Sequence, residues 1–205
     1  MIFDQFRRYC IAASCLLLIT SPTFASTSPT IQTCTSCHGA DGLGVANFTP
    51  ALAGLSEAYL TSQIELYMTG RRVNSMMTPM SSLLKDPKLQ KQTLAYFAAL
   101  PAAEITELEK PGEHAIILDP ARRLIYQGDW SRDIPACSTC HGPSGQGVAA
   151  FPRLANQHSE YIEGQLLMWQ SGMRRGDHNN VMGNIASKLT KTEISQLAQY
   201  FATVK

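Results

Sequence analysis

The sequence predicts an all-α protein made of two tandem copies of one small domain. Three observations carry that reading. Matching residues recur about one hundred positions apart along most of the chain, which marks duplication of a whole domain rather than a short structural repeat. Tyr, Gln and Leu positions fall at helical spacing, with Ser, Thr and Pro standing where helices begin. No segment alternates apolar and polar residues convincingly enough for a half-buried strand. The copies align in one order: Cys34 with Cys137, Gly42 with Gly145 and Gly44 with Gly147, then Tyr59, Gln63, Tyr67 and Gly70 with Tyr161, Gln165, Trp169 and Gly172. Leu94, Tyr96 and Phe97 close the series against Leu197, Tyr200 and Phe201.

Residues 1–25 read as an export signal. Arg7 and Arg8 precede an apolar run over residues 9–20, and Ser21-Pro22-Thr23-Phe24-Ala25 supplies small residues for cleavage. The run is too short to span a bilayer. Cys10 and Cys15 fall within it, so the exported chain keeps only the other four cysteines. Export also removes Arg7, Arg8 and Asp4, which takes the formal net charge from +1 to neutral. A neutral chain disfavours a nucleic-acid partner.

The exported chain divides into a first domain at 26–100, a linker at 101–120 and a second domain at 121–205. In the first domain a short helix, opened by Pro29, carries Cys34-Thr35-Ser36-Cys37-His38. A second helix covers 56–69, with Ser56 as its N-cap and Tyr59, Gln63 and Tyr67 on one face. Gly70 suits the left-handed residue that ends it. A third helix spans 88–100. The linker is rich in Glu, Pro and Ala, and Pro111-Gly112 marks a turn. The second domain opens with a helix at 121–126, repeats the motif as Cys137-Ser138-Thr139-Cys140-His141, and ends in a helix over 191–204. Thr190 and Glu193 form a capping-box pattern for that last helix.

Cys-x-x-Cys-His is the attachment site of c-type haem. Two thiols three positions apart on a helical turn each add across a haem vinyl group, and the adjacent histidine lies under the iron. Cys34, Cys37, Cys137 and Cys140 are therefore the expected thioether positions, and His38 and His141 the proximal ligands of two covalently bound haem c groups. A redox dithiol or a zinc site explains the cysteines but not why both pairs are followed directly by His and Gly. Covalent haem attachment suits an oxidising compartment, which agrees with export to the periplasm. The low charged fraction, 16%, fits domains in which an apolar cofactor replaces part of the core.

The distal ligand decides the chemistry. A methionine thioether opposite histidine fills both axial positions and favours ferrous iron, which makes an electron carrier rather than a catalyst. Met182, in a polar loop ahead of the last helix, is the second-domain candidate; Met168 reads as core and Met173 as helix end. The first domain offers Met76, Met77 and Met80, and alignment with Met182 favours Met77. His178, four residues before Met182, reads as a solvated loop residue, as do His114 and His158 as surface residues. A carbonyl near Pro50 or Pro152 is expected to accept the ring N–H of His38 or His141. Arg71-Arg72 and Arg174-Arg175 follow the second helix of each domain, where they serve either the helix dipole or haem propionates.

On these residues the chain resembles the di-haem cytochrome c4 family. The resemblance covers the exported chain: paired Cys-x-x-Cys-His-Gly, Ile134-Pro135-Ala136-Cys137, the Phe151 to Ala155 segment, Tyr161-x-x-x-Gln165-Leu166, and Met182 ahead of Ile185-Ala186. It implies two tandem class I cytochrome c domains, each a few helices wrapped around one covalently bound haem and related by a pseudo-twofold axis. It also implies a soluble or peripherally membrane-associated periplasmic carrier in a respiratory chain. Such a carrier receives electrons from a cytochrome bc complex or a dehydrogenase and passes them to a terminal haem-copper oxidase. The alternative is a cytochrome subunit that accepts electrons from a dehydrogenase such as a flavocytochrome sulfide dehydrogenase. A di-haem peroxidase, which needs an open iron, is disfavoured. The family pattern is broken in two places: only residues 26–33 precede Cys34, which shortens the first helix, and Ala121 stands where the family tends to place glycine.

Overall fold

The computed structural model describes residues 28–112 and 114–204, so the expected export signal lies outside the described residues. Within them the chain is helical, and its extended pairings are isolated bridges. The first lobe holds α1 (Pro29–His38), α2 (Glu57–Met68), α3 (Met77–Ser81) and α4 (Pro87–Ala98). The second holds α5 (Pro120–Tyr126), α6 (Cys137–His141), α7 (Ser159–Gln170), α8 (Val181–Ala186) and α9 (Lys191–Ala202).

The helix starts follow from local hydrogen bonding. Ser28 Oγ accepts from Ile31 N, Ser56 Oγ from Tyr59 N, and the Asp86 side chain from Lys88 N and Leu89 N, each occupying a donor the helix leaves unpaired. At α9 the capping box is complete, with Thr190 accepting from Glu193 N and Glu193 from Thr190 N. Two short helices, α3 and α8, go beyond the expected three per lobe. Met182 therefore stands in the first turn of α8 and not in an irregular loop. Helices of five and six residues carry too little periodicity to be read from spacing.

Each lobe closes over its own apolar cluster. In the first, α2 packs on α4 and buries Leu60, Ile64, Leu94 and Phe97. In the second, α7 and α5 both pack on α9, burying Leu124, Ile125, Ile162, Leu166, Leu197 and Phe201. The described part of the first lobe has no counterpart of α5. There α1 both carries the cysteine motif and makes the contact with α4, burying Ile31 and His38. Ala121, in the expected glycine position, is buried within the second cluster.

The linker is a strap across the second lobe. Ala103 O accepts from Arg153 Nη2 at 2.6 Å, Glu109 N donates to Ser144 Oγ at 2.8 Å, and Gln127 Nε2 donates to Ala115 O at 2.8 Å. The Glu109 carboxylate also pairs with Arg122 and accepts from the Tyr200 hydroxyl.

The lobes meet through two arginines that reach across to one another's helices. Arg72 and Arg174 are only 3% and 5% exposed. Arg72 donates to Gln63 Oε1 (2.9 Å) in its own lobe, and to the Tyr161 hydroxyl (2.6 Å) and Gln165 Oε1 (2.7 Å) in the other. Arg174 returns the pattern to Gln165 (2.8 Å), Tyr59 (3.1 Å) and Gln63 (3.0 Å). This reciprocity is that of an approximate twofold contact. The backbones join there too, as an antiparallel bridge between Arg72 and Arg174. Each guanidinium lies over an aromatic ring, Arg72 over Tyr67 at 4.7 Å and Arg174 over Trp169 at 3.7 Å.

A second seam runs through the buried Gln157 amide, which donates to Ala51 O and accepts from Ala51 N, both at 2.9 Å. His158, expected at the surface, is half-buried at this seam with Nε2 3.1 Å from Leu43 O.

Arg132 grips Glu193 with two hydrogen bonds, at 2.6 and 3.1 Å, and holds its carboxyl below the usual range. Glu193→Ala removes this pair together with the side-chain half of the capping box, an expected loss of about 1 kcal/mol at neutral pH. Because the folded value is depressed, the contribution is full above the unfolded value, about 4.3, and disappears as pH falls through the folded one. Thermal melts of both proteins from neutral to acid pH should therefore begin to converge below the unfolded carboxyl value and meet once the pH lies below the depressed folded one.

Candidate haem sites

Each cysteine motif sits at the end of a helix, and its geometry is nearly the same in both lobes. Cys34, Cys37 and His38 lie on the last turns of α1, while Cys137, Cys140 and His141 make up most of α6. All four cysteines are half-buried and free of disulfides. Burial raises the Cys34 thiol pKa and pushes that of Cys137 up to about 12. A redox dithiol depends on a stabilised thiolate, so the shift runs against that reading. Among the described residues no three His, Cys, Asp or Glu side chains converge as a zinc site would require.

Both histidines are buried and oriented by a backbone carbonyl. His38 Nδ1 lies 3.0 Å from Pro50 O, and His141 Nδ1 lies 2.8 Å from Pro152 O. A carbonyl only accepts, so Nδ1 carries the proton and Nε2 is left with its lone pair, the form that ligates a metal. Burial lowers both histidine pKa values and outweighs the opposing carbonyl bond, which keeps the rings neutral. The carbonyl is held in place by a tight turn. Gly44 N donates to His38 O and Gly147 N to His141 O, with both glycines at positive φ (72° and 87°). A Cβ on Gly44 would meet the Pro50 carbonyl oxygen at 2.6 Å, and one on Gly147 would meet Arg153 N at 2.8 Å. The repeated glycines let the loop approach the histidine.

The expected methionines lie on the same apolar clusters as the motifs. Met77 and Cys34 both pack against the first core, and Met182 and Cys137 against the second. Met76 is 57% exposed and Met173 56%. Met77 N is held by Asn74 Oδ1 at 2.9 Å, and Met182 N by Asp177 Oδ2 at 2.6 Å. His114 and His178 are exposed, as expected.

The cytochrome c family model matches this chain twice, over residues 30–109 and 133–205. The crystal structure of reduced recombinant cytochrome c4 from Pseudomonas stutzeri superposes with a TM-score of 0.71 at 30% identity, covering 85% of this chain and 95% of that one. The chain belongs to the di-haem cytochrome c4 family. It is also similar to a thiosulfate dehydrogenase electron acceptor of Stutzerimonas stutzeri (strain A1501), at 37% identity over 86% of this chain and 81% of the relative. The structure of thiosulfate dehydrogenase (TsdBA) from Marichromatium purpuratum, in its as-isolated form, matches with a TM-score of 0.73 at 39% identity. That match covers 84% of this chain but only 36% of the longer one. This cytochrome is thus a di-haem c-type electron carrier with two covalently bound haem c groups.

The residues present fit that cofactor at the junction as well. Two buried donors, Arg72 Nε and Trp169 Nε1, have no hydrogen-bond partner among the described residues. No described carboxylate forms an ion pair with Arg72 or Arg174. Buried cations and orphaned donors call for anionic acceptors, and haem propionates are anionic acceptors. Burial opposes the charge on Arg72, but Tyr161, Tyr67 and Tyr59 overcome that and raise its pKa. Burial also opposes ionisation of Tyr161, yet the two guanidiniums bring its pKa below the usual phenol value. Sequence reasoning left the roles of these arginines open. The available signal was their position after α2 and α7 together with the repeated Tyr and Gln, one helical turn apart on each helix.

Gly44→Ala is expected to cost at least 1–2 kcal/mol for the left-handed backbone alone, with a further cost for displacing Pro50. Its thermal midpoint should fall well below that of Gly70→Ala, whose Cβ meets nothing within 4 Å although φ is similarly positive. Equal midpoints would show that the approach of the loop to His38 is unimportant.

Proposed function

We propose that His38 with Met77, and His141 with Met182, are the axial ligands of two six-coordinate haems bonded through Cys34, Cys37, Cys137 and Cys140. The observation that carries this reading is the pairing within each lobe. In each lobe the first cysteine of the motif, whose histidine is buried and oriented, packs against the same apolar cluster as one half-buried methionine, and the neighbouring methionine of the first lobe, Met76, faces solvent. Haem iron so ligated supplies a one-electron couple with no open position for substrate. The protein's own contribution is to fix the rings through Pro50 and Pro152, to fix the methionine backbones through Asn74 and Asp177, and to keep the two lobes in register. On this reading the chain is a carrier and not a peroxidase.

The carrier works in the periplasm, taking electrons from a cytochrome bc complex or a dehydrogenase and passing them to a terminal haem-copper oxidase. Export is supported by the signal read over residues 1–25 and by the oxidising chemistry of haem attachment. Among the described residues no helix is long and apolar enough to cross a membrane. A second reading concerns the donor. Similarity to a thiosulfate dehydrogenase electron acceptor, and to part of a thiosulfate dehydrogenase, favours acceptance of electrons from such an enzyme. Such an enzyme is one case of the dehydrogenase donor considered from sequence, beside the flavocytochrome.

Met77→Leu and Met182→Leu should each remove about half of the ferric sulfur-to-iron charge-transfer absorption, and the double variant should remove all of it. Full retention in either single variant would reject that ligand. For the donor, stopped-flow mixing of the oxidised protein with thiosulfate and a thiosulfate dehydrogenase should reduce both haems within the enzyme's turnover time. No reduction there, with rapid oxidation of the reduced protein by a haem-copper oxidase, would leave the respiratory reading alone.

A further inference from the structure

The two lobes hold their methionines with the same bond but with different charge. In the first lobe the neutral Asn74 side chain caps α3, accepting from Met76 N at 3.0 Å and Met77 N at 2.9 Å. In the second, the Asp177 side chain holds the methionine backbone at the first turn of α8, accepting from Met182 N alone at 2.6 Å through Oδ2. The other oxygen, Asp177 Oδ1, is buried with no hydrogen-bond partner among the described residues. None of the described ion pairs involves Asp177 either. Its carboxylate therefore belongs to no described ion pair, with Arg71 and Arg175 as the nearest chain and packing cations. Asp177 is fixed in space from the other side: it follows Gly176, where a Cβ would press on Leu66 and Arg71 of the first lobe. Arg175 N, just upstream, donates to Arg71 O at 2.7 Å.

We infer that Asp177 is a positioning residue whose carboxylate biases electron sharing between the two haems, lowering the potential of the second relative to what a neutral cap would give. The inference rests on the axial ligation proposed above. A ferric haem carries one more positive charge than a ferrous one, so an anion outside any described ion pair, one hydrogen bond and one side chain away from the ligating sulfur, stabilises the oxidised state. Asn74 makes the same bond without charge and exerts no such bias. The substitution of one carboxylate for one amide at matching places beside the two methionines makes the surroundings of the two haems electrically unequal and gives electrons a direction between them.

The test uses the full-length holoprotein at one fixed pH and ionic strength. Potentiometric titrations are followed optically, and the second haem is identified by its loss of the charge-transfer band in Met182→Leu. Asp177→Asn keeps the cap, since Asn performs that role in the first lobe, and removes only the charge. It is expected to shift electron sharing toward the second haem by several-fold up to about tenfold, where tenfold corresponds to 59 mV for one electron. The first haem should stay within a small fraction of that shift. Asn74→Asp should move the first haem in the opposite direction. An unchanged second-haem potential with the band intact overturns the inference while leaving the ligation standing. Loss of the band in Asp177→Asn also overturns it, because the residue would then be needed for geometry and not for charge. The ligation itself fails separately, if Met182→Leu leaves the band undiminished.

Discussion

Two buried guanidiniums, each satisfied largely by the other lobe, are the constraint on which the rest of this molecule depends. A charge removed from water is strongly destabilising unless its donors are met, and breaking such an arrangement from one side leaves the remainder unpaired. Arg72 and Arg174 are met by Gln63, Gln165, Tyr59 and Tyr161 in a reciprocal pattern, so neither lobe can turn without orphaning groups in both. The helices that supply these partners, α2 and α7, are the same ones that form each apolar cluster. The junction and the two cores are consequently one mechanical unit, and two haems bound to it keep a fixed relation.

Within each lobe the decisive contact is smaller. A glycine at positive φ lets a proline-bearing loop come close enough for its carbonyl to hold a buried imidazole. That bond sets the tautomer, and burial sets the charge state. Duplication preserved this arrangement in both halves. The differences lie around it: α5 is present in the second lobe alone among the described residues, and the caps of α3 and α8 differ in charge. Under the proposed ligation, the inequality between the halves sits in the surroundings of the ligands rather than in the ligands.

Much of this was legible in the sequence because the signals were local and repeated. Cys-x-x-Cys-His declares its chemistry in five residues, Ser56 and the Thr190–Glu193 pair mark helix starts, and Pro50 and Pro152 stand out as turn residues at matching offsets. What was not legible depends on groups far apart in the chain. Arg72 looks like an ordinary cation at a helix end until the second lobe is placed against it, and His158 looks like a surface residue until Leu43 arrives. The linker gave a turn and a composition but no sign that Glu109 would reach Ser144 and Tyr200. The helix carrying Met182 escaped notice because six residues hold little periodicity and its cap lies five residues before the methionine.

The central claim is that the two haem-bearing lobes form one rigid body locked by the arginine junction. Pulsed dipolar electron paramagnetic resonance between the two low-spin ferric irons of the intact holoprotein tests it most directly. A single narrow distance distribution, with the orientation dependence of two fixed haem planes, is the expected result. A broad distribution without orientation selection would contradict the account and describe two domains moving independently on a tether.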